Sequence, residues 1–175
     1  MIEDRIKNAV RDVPDFPSPG ILFKDITPIF LDPQLCRDIV SELHEFYKNK
    51  NLDLVIGVES RGFFFGLELA KSLDLPFAPV RKKGKLPAET VCVSYDLEYG
   101  SAEIEIHKGI IKPGMKVLVH DDLLATGGTA GAAADLVLLQ GGVVGGFDFL
   151  VELSFLKGQD KLHKYSENIH NLACW

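Results

Sequence analysis

Short apolar runs that alternate with helical patterns constrain this chain more than any other feature. The run DLVIGV (53–58), residues Lys116 to His120, and residues Val144 to Leu153 each predict a strand buried on both faces. Helical patterns lie between them, from about Gly62 to Leu73 and from Thr129 to Gln140. Parallel strands need crossover helices, so the alternation predicts an α/β fold with a parallel twisted sheet flanked by helices.

The first third of the chain adds two helices and an irregular stretch. Helical spacing predicts an amphipathic helix at the start, formed by Ile2, Ile6, Ala9, Val10 and Val13. The proline- and glycine-rich stretch DFPSPGILFKDITP (15–28) follows as irregular structure. Asp32 and Pro33 match an N-cap and a proline at the first helical position. They predict a helix whose apolar face is Leu35, Ile39, Leu43, Phe46 and Tyr47.

An antiparallel hairpin is predicted as an insertion in the parallel scheme. Apolar and polar residues alternate over about residues 90–107, on both sides of the polar turn Tyr99-Gly100-Ser101. Phe77 to Val80 predicts a short strand before the hairpin, and a short helix is expected over Leu156 to Lys164. The tail that ends at Trp175 is assigned no function.

Size and charge limit the classes of protein that fit. A chain of 175 residues can bury one sizeable core, so residues 1–175 are expected to form a single domain. A net charge of -6 disfavours nucleic-acid and anionic-membrane binders, although it leaves room for a local basic patch. Cys36, Cys92 and Cys174 lie far apart without metal-site spacing, which favours reduced thiols and a cytoplasmic protein. The first residues carry charges and no apolar signal-peptide core, so no membrane partner is expected.

The strongest local signal is the string KVLVHDDLLATGGTA (116–130). In it, an apolar strand leads to the adjacent acids Asp121 and Asp122, then to a loop of small residues, then to a helix. Ligands of open α/β sheets bind at the carboxyl ends of strands, where these residues fall. Backbone N–H groups of the loop and of the helix N-terminus can hold a dianionic phosphate. The loop consists of Ala125, Thr126, Gly127, Gly128 and Thr129.

The acid pair needs an explanation of its own, because two carboxylates beside a phosphate would repel it. A ribose diol offers Asp121 and Asp122 two adjacent hydroxyl donors, and the acids could also stabilise positive charge on a sugar ring. The pattern therefore predicts a site for a ribose 5-phosphate. The plainer alternative is a tight strand-to-helix turn with solvated acids. GxxxxGK[ST] and GxGxxG are absent from the sequence, which excludes a Walker A site and a dinucleotide fingerprint.

This string resembles the phosphoribosyl pyrophosphate motif of type I phosphoribosyltransferases, and the chain is similar in particular to the adenine phosphoribosyltransferases. The matching stretches keep the family's order and cover most of the chain. They are DFPSPGILFKDITP (15–28), GVESRGFFFG (57–66), RKKGKLP (81–87), SYDLEYGSAEIEIHKG (94–109), DDLLATGGT (121–129) and LVELSFLKG (150–158). The resemblance implies the type I phosphoribosyltransferase fold, with a small N-terminal hood (about residues 1–34) and a lid hairpin (about residues 90–107).

The resemblance also implies how the pyrophosphate end is bound. Residues matching Ser60 and Arg61 contact the pyrophosphate in the family, and those matching Arg81, Lys82 and Lys85 serve the same end. The residue matching Arg81 reaches across a dimer interface, which implies a homodimer. Magnesium is the implied cofactor, held mainly by ligand oxygens and waters rather than by a protein cage. Without the resemblance, Arg61 fits a surface residue at a helix start equally well, and the basic run fits a solvated loop or a nucleic-acid patch.

The base site and the lid hairpin take their roles from the same resemblance. Residues matching Leu22, Phe23 and Lys24 form the adenine pocket, and the residue matching Leu153 closes it. On the sequence pattern alone, Phe23 fits a core position better than a base site, and the resemblance reverses that interpretation. The residue matching Glu98 is the proposed proton carrier, and the one matching Tyr99 approaches the sugar. The alternative for this hairpin is an exposed ribbon with charges on its wet face.

The implied reaction transfers 5-phosphoribosyl to N9 of adenine and gives AMP and pyrophosphate, a step of purine salvage. Two positions depart from the family pattern. His120 stands where an aliphatic residue is usual, and we expect it to be packed and neutral rather than catalytic. Lys24 replaces the commoner arginine. The alternatives are a sister enzyme for another base and a non-catalytic regulator that senses phosphoribosyl pyrophosphate.

Overall fold

A computed structural model describes residues 1–96 and 101–175 of the protein. Nine strands are found there: Arg11–Pro14 (β1), Leu22–Asp25 (β2), Leu54–Val58 (β3), Phe77–Lys82 (β4), Thr90–Asp96 (β5), Ser101–His107 (β6), Lys116–Leu124 (β7), Val143–Glu152 (β8) and Ile169–Cys174 (β9). The α-helices of the described residues are Ile2–Ala9 (α1), Pro33–Tyr47 (α2), Gly62–Ser72 (α3), Gly128–Leu139 (α4) and Gln159–Leu162 (α5). Two 3-10 turns, Thr27–Leu31 and Ser154–Leu156, complete the set for the same residues.

A seven-stranded sheet in the order β5-β6-β4-β3-β7-β8-β9 forms the centre of the molecule. Strands β4, β3, β7, β8 and β9 run parallel, whereas β5 and β6 are antiparallel to each other and β6 is antiparallel to β4. The predicted parallel sheet with flanking helices and an antiparallel insertion is therefore confirmed.

Helices cover both faces of the sheet, which explains the continuous apolar runs. Ile56 and Val119 pack in one core cluster with the apolar residues of α4. Val55 and Leu118 pack in a second cluster with apolar residues of α1, α2 and α3. Since successive side chains of a strand point to opposite faces, a strand covered on both faces needs apolar residues at every position.

The N-terminal prediction was wrong after Ala9. The first helix stops there, and β1 pairs antiparallel with β2, which lies inside the segment predicted to be irregular. Cross-strand ion pairs help to select this pairing: Arg11 Nη2 lies 2.6 Å from Asp25 Oδ2, and Lys24 Nζ lies 2.6 Å from Asp12 Oδ1. These contacts join residues far apart in sequence, so the local helical spacing could not reveal them.

The start of α2 agrees with the prediction, and one of its apolar positions does not. Asp32 Oδ1 accepts the amides of Gln34 and Leu35, both at 2.9 Å, as an N-cap does. Phe46 was expected to be buried but is exposed, and its ring stacks on His170 at a centroid distance of 3.9 Å.

Three differences concern the C-terminal half of the chain. Strand β7 continues to Leu124, so the acid pair lies within the strand, because β8 still offers it partners as far as Glu152. The tail to which no function was assigned forms β9, parallel to β8. The helix expected over 156–164 is split into the turn Ser154–Leu156 and the short helix α5.

The predicted hairpin is present as β5 paired with β6, from Thr90 opposite His107 to Asp96 opposite Ser101. Of the turn predicted at 99–101, Tyr99 and Gly100 lie outside the described residues, and Ser101 already belongs to β6. Across the described part of the chain, every helix is too short or too polar to cross a bilayer.

Candidate active site

The carboxyl ends of β3, β4 and β7 open onto a cleft of about 460 Å³. Its lining residues are Glu59, Ser60, Arg61, Lys82, Tyr95, Asp121, Asp122, Leu123 and Thr129. The fold thus brings the predicted diol-binding acids together with Ser60, Arg61 and Lys82 from the predicted pyrophosphate site. These residues come from three strands and the connections that follow them, as expected for an open α/β sheet.

The small-residue loop forms a narrower hollow of about 80 Å³ beside the cleft. All five predicted phosphate-binding residues, Ala125, Thr126, Gly127, Gly128 and Thr129, line it. Gly127 has φ +76°, and a Cβ there would collide with the carbonyl oxygen of Gly158. Helix α4 begins at the next residue, so its first N–H groups lie beside the hollow. The loop therefore presents donors and a helix N-terminus, which suit an anion.

The two carboxylates of the acid pair differ in how far a neighbouring positive charge compensates them. Asp122 is almost fully buried, and its Oδ2 lies 2.6 Å from Nε of Arg61. Asp121 Oδ1 accepts the Asp122 amide at 2.9 Å. Burial and the neighbouring charge of Asp122 raise the pKa of Asp121 well above its ordinary value. Part of that burial comes from Gly62 at the start of α3, where a Cβ would lie 3.0 Å from Asp121 Oδ1.

Arg61 connects the acid pair to the predicted base site. While Nε pairs with Asp122, the guanidinium carbon lies 5.2 Å from the ring centroid of Phe23. The aromatic ring is half-buried and packs edge-on against Phe16 at a centroid distance of 5.1 Å. Phe23 is therefore no interior core residue, and one face of it is next to a cation at the rim of the cleft.

The other predicted adenine residues differ in how they are presented. Leu22 is exposed, and Leu153 is buried directly after β8, with its amide donating to Leu124 O at 2.9 Å. The side chain of Lys24 is turned to Asp12 and lies over the Trp175 ring, 5.0 Å from its centroid. Lys24 can therefore offer a ligand its backbone but not its ammonium group.

The basic run is organised by Glu59, which sequence reasoning missed. Its Oε2 accepts the Lys82 amide at 2.9 Å and pairs with Arg81 Nε at 3.2 Å. Burial raises the pKa of Glu59, but these two partners together outweigh burial and lower it. Lys82 lines the cleft, whereas Arg81 is turned to Glu59 and to the carbonyl oxygen of Lys85. The signal available in the sequence was a carboxylate directly after the strand that ends at Val58.

Tyr95 is the second lining residue that the sequence analysis did not single out. It lies on β5, and its hydroxyl accepts from Thr129 Oγ1 at 3.2 Å, which links the hairpin to the phosphate loop. The predicted proton carrier Glu98 and its neighbour Tyr99 lie outside the described residues. Within residues 1–96 and 101–175, no three His, Cys, Asp or Glu side chains converge as a metal site would require.

His120 precedes the acid pair but does not line the cleft. It is fully buried, and its Nδ1 lies 2.6 Å from Asp148 Oδ2. Asp148 Oδ1 also accepts from the Tyr47 hydroxyl at 3.1 Å and from His170 Nδ1 at 2.8 Å. The geometry agrees with the expectation of a packed histidine, held in a buried polar cluster of four side chains.

Comparison with known proteins adds to this geometry. A family model described as the phosphoribosyl transferase domain matches residues 27–144. Among curated relatives, the adenine phosphoribosyltransferase of Cytophaga hutchinsonii is 49% identical over 172 residues, which cover 98% of this chain and 95% of the relative.

Solved structures of adenine phosphoribosyltransferases also match this chain, over 98% to 100% of its length. The adenine phosphoribosyltransferase of Thermoanaerobacter pseudethanolicus superimposes with a TM-score of 0.95 at 45% identity and covers 100% of both chains. The Saccharomyces cerevisiae adenine phosphoribosyltransferase, crystallised with an imino-altritol bisphosphate and adenine, gives 0.90 at 41% identity and covers 98% of both chains.

Proposed function

Since this chain belongs to the adenine phosphoribosyltransferases, which convert adenine and phosphoribosyl pyrophosphate to AMP and pyrophosphate, we propose that this reaction takes place in the cleft of β3, β4 and β7. The reaction is a pentosyl transfer of purine salvage. One observation carries the assignment to the cleft: the acid pair, Arg61 and the phosphate loop meet there.

Binding at the phosphate end would position the reacting carbon. The 5-phosphate would accept N–H groups of the loop Ala125–Thr129 and of the start of α4, together with threonine hydroxyls. Asp121 and Asp122 would accept the two ribose hydroxyls. Because only two residues separate the acids from the loop, binding energy from the non-reacting end would hold C1 in a defined place.

The pyrophosphate end would lie against Ser60, Arg61 and the basic run. In the structure, Arg61 pairs with Asp122. When ribose hydroxyls donate to the Asp122 carboxylate instead, the guanidinium of Arg61 would be released to bind the leaving group. Lys82 already lines the cleft, and we assign Arg81 and Lys85 to the same end. Their positive charges would stabilise the pyrophosphate as it departs.

Magnesium is the cofactor we propose, and the donor set fits it. Asp121 and Asp122 are oxygen acceptors whose negative charge one arginine compensates only in part. They would bind the diol of a ligand whose own oxygens, together with waters, would hold the cation beside them. When bound, magnesium neutralises charge on the pyrophosphate.

The chemical step is a displacement at C1. N9 of adenine forms a bond to C1 while the bond between C1 and the pyrophosphate oxygen breaks, and its electron pair leaves with pyrophosphate. Positive charge develops on the ring, where the carboxylates of Asp121 and Asp122 stabilise it. We assign the N9 proton to Glu98 and the approach to the sugar to Tyr99, both on the strength of the family resemblance.

Glu98→Gln tests the proton assignment. It should lower turnover by about 10²–10⁴-fold, since an amide cannot accept the proton. Steady-state AMP formation at saturating substrates measures the effect. Glu89→Gln is the matched control, because Glu89 is exposed and pairs with Lys108 outside the cleft. Equal turnover in wild type and Glu98→Gln would remove Glu98 from the mechanism.

Adenine would stack on Phe23 between Leu22 and Leu153, and backbone groups of residues 22–24 would read its edge. The Lys24 side chain is occupied by Asp12 and Trp175, which favours backbone recognition. A 6-oxo purine would present the wrong donors and leave buried groups unpaired.

We regard residues 1–175 as one catalytic domain, in which the N-terminal hood closes the base site and the lid hairpin excludes water.

We also propose a cytoplasmic homodimer, in which Arg81 serves the partner's site. Cys36, Cys92 and Cys174 are free thiols, as in a reducing compartment.

A groove of about 340 Å³ between α2 and α3 is the surface we assign to the dimer interface. It is lined by apolar side chains of Phe30, Cys36, Val40, Phe64 and Phe65. Such apolar surface favours burial against a second copy. Phe64→Glu should therefore give monomers in sedimentation velocity, and an unchanged dimer would exclude this surface as the interface.

A base panel tests the function as a whole. Purified protein, magnesium and phosphoribosyl pyrophosphate are incubated with adenine, hypoxanthine, guanine, xanthine or orotate in turn, and nucleotide is measured. We expect AMP from adenine alone. Nucleotide from another base would overturn the assignment of Leu22 to Lys24, and binding of phosphoribosyl pyrophosphate without any product would indicate a sensor.

A further inference from the structure

A buried carboxylate on β6 holds the backbone of the basic loop. Glu105 is 4% exposed, although it is charged and lies on a strand near the edge of the sheet. Its Oε1 accepts the amides of Lys85 and Leu86, both at 3.0 Å, and its Oε2 accepts the Thr90 hydroxyl at 3.0 Å. One side chain therefore fixes the middle of the segment between β4 and β5 and the start of β5.

The position of Glu105 relates this contact to the cleft. It lies directly opposite Arg81 in the antiparallel ladder of β4 and β6. Glu59 holds the other side of the same run through the Lys82 amide and Arg81 Nε. The two carboxylates bracket residues 81–86, so four cations that repel one another are kept on one backbone path.

We propose that Glu105 is a positioning residue for the pyrophosphate end, which sets the path of residues 84–86 so that Lys82 and Lys85 meet the leaving group. The inference rests on the proposed assignment of the basic run to pyrophosphate. Glu105 touches backbone amides rather than the cleft, so it acts through the loop and takes no part in the chemistry.

Glu103, two residues earlier on the same strand, supplies a matched control. It pairs with Lys83 Nζ at 2.8 Å and accepts from the Ser94 hydroxyl at 3.3 Å, both of which are side chains. Removing it changes the charge near the loop by the same amount as removing Glu105. The backbone amides of Lys85 and Leu86 keep their partner in that case.

The experiment compares Glu105→Ala, Glu105→Gln and Glu103→Ala in AMP formation, with phosphoribosyl pyrophosphate and adenine varied separately. Glu105→Ala should lower kcat/KM for phosphoribosyl pyrophosphate by about 10- to 100-fold through misplacement of the loop. KM for adenine should change less than about 2-fold, because the base site lies elsewhere. Glu105→Gln should recover most of the loss, since a single amide oxygen can accept both N–H groups. Glu103→Ala should resemble wild type.

A direct structural readout accompanies the kinetics. Amide hydrogen exchange at Leu86 should be slow in wild type and Glu103→Ala, and fast in Glu105→Ala. The change at Lys85 should be smaller, because its amide also donates to the Lys82 carbonyl oxygen at 3.2 Å. If Glu105→Ala does not fold, Thr90→Val removes one of the three bonds and should give a smaller change in the same direction. Wild-type kinetics with fast exchange in Glu105→Ala, or equal kinetic losses in Glu103→Ala and Glu105→Ala, would overturn the inference.

Lys82→Ala separates this inference from the proposed function. If Lys82→Ala raises KM for phosphoribosyl pyrophosphate but Glu105→Ala does not, the basic run binds pyrophosphate and the role of Glu105 is wrong. If neither variant affects phosphoribosyl pyrophosphate while wild type still makes AMP, the assignment of the basic run is wrong, and the inference fails with it.

Discussion

A single carboxylate on β8 and a pair of carboxylates on the neighbouring strand β7 differ in how fully hydrogen-bond donors compensate their negative charge. Asp148 on β8 is fully buried and accepts hydrogen bonds from Tyr47, His120 and His170. Burial alone would raise the pKa of Asp148, but the bonds from the two histidines outweigh it and lower the pKa. The Asp121–Asp122 pair on β7 has one arginine, and there the pKa of Asp121 is raised.

The more deeply buried carboxylate is the better compensated one: Asp148 is fully buried with three donors, whereas Asp121 is half-buried at the cleft. The two groups are one residue apart in the ladder, because His120 faces Asp148 across β7 and β8. A carboxylate with a full set of donors stabilises the fold and has no capacity left for a ligand. An under-compensated pair costs stability and is free to bind, as functional sites often are.

The largest effect expected is on stability, from Asp148→Val. Two buried donors, Tyr47 and His120, and the partly exposed His170 would lose their acceptor, so the free energy of unfolding should fall by about 3–5 kcal/mol. Urea denaturation at pH 7.5 measures it, with exposed Asp160→Val as control. The pKa of Asp148 is lowered in the fold, so its contribution is present above the unfolded value of about 3.9 and is lost as the pH falls through the folded pKa. A loss no larger than that of Asp160→Val would show that the four-residue cluster contributes nothing.

Asp122→Ala should act on catalysis rather than on folding. It removes a charged acceptor from the proposed ribose site, so kcat/KM for phosphoribosyl pyrophosphate should fall by about 10- to 100-fold. Initial rates at fixed adenine measure it, with Asp160→Ala carrying the same change of charge on the surface. Normal constants for phosphoribosyl pyrophosphate would refute the diol assignment.

Asp121→Asn should stabilise the ligand-free protein by about 0.5–2 kcal/mol near pH 7.5, as relief of strain at a functional site can. The folded pKa of Asp121 is raised, so this group contributes stability below its unfolded pKa and loses it as the pH rises through the folded value. The gain from Asp121→Asn should therefore shrink as the pH is lowered toward 4. Thermal unfolding across this range measures it, and a loss of stability at pH 7.5 would contradict the contrast with Asp148.

The smallest effect expected is that of His170→Gln, at the edge of the Asp148 cluster. His170 is partly exposed, so water can replace its bond to Asp148, and the loss should be about 0.5–1.5 kcal/mol. Urea denaturation of His170→Gln and Asp148→Val, measured in parallel, compares the losses in the free energy of unfolding of the two variants. A loss from His170→Gln as large as that from Asp148→Val would mean that a single donor, rather than the full set, supports Asp148.

The sequence predicted those parts of the molecule that depend on local pattern. Continuous apolar runs, the Asp32 cap and the strand–acid–loop–helix string each carry their structure within a few residues, and each was confirmed. Long-range pairings were missed. Strand β1 needs β2, strand β9 needs β8, and Glu59 and Glu105 acquire their partners only when distant amides arrive. The roles of Glu98 and Tyr99 stay predictions.

The orientation of Lys24 has a consequence for selective inhibition. Its ammonium group is held by Asp12 and lies over Trp175, away from the cleft. An arginine in place of Lys24 would change a contact behind the proposed base site. The backbone of residues 22–24 would remain the surface that a base analogue meets. Compounds designed to distinguish this enzyme from relatives with arginine there would gain little at the base, and selectivity is better sought at the side chains around Arg61 and the basic loop.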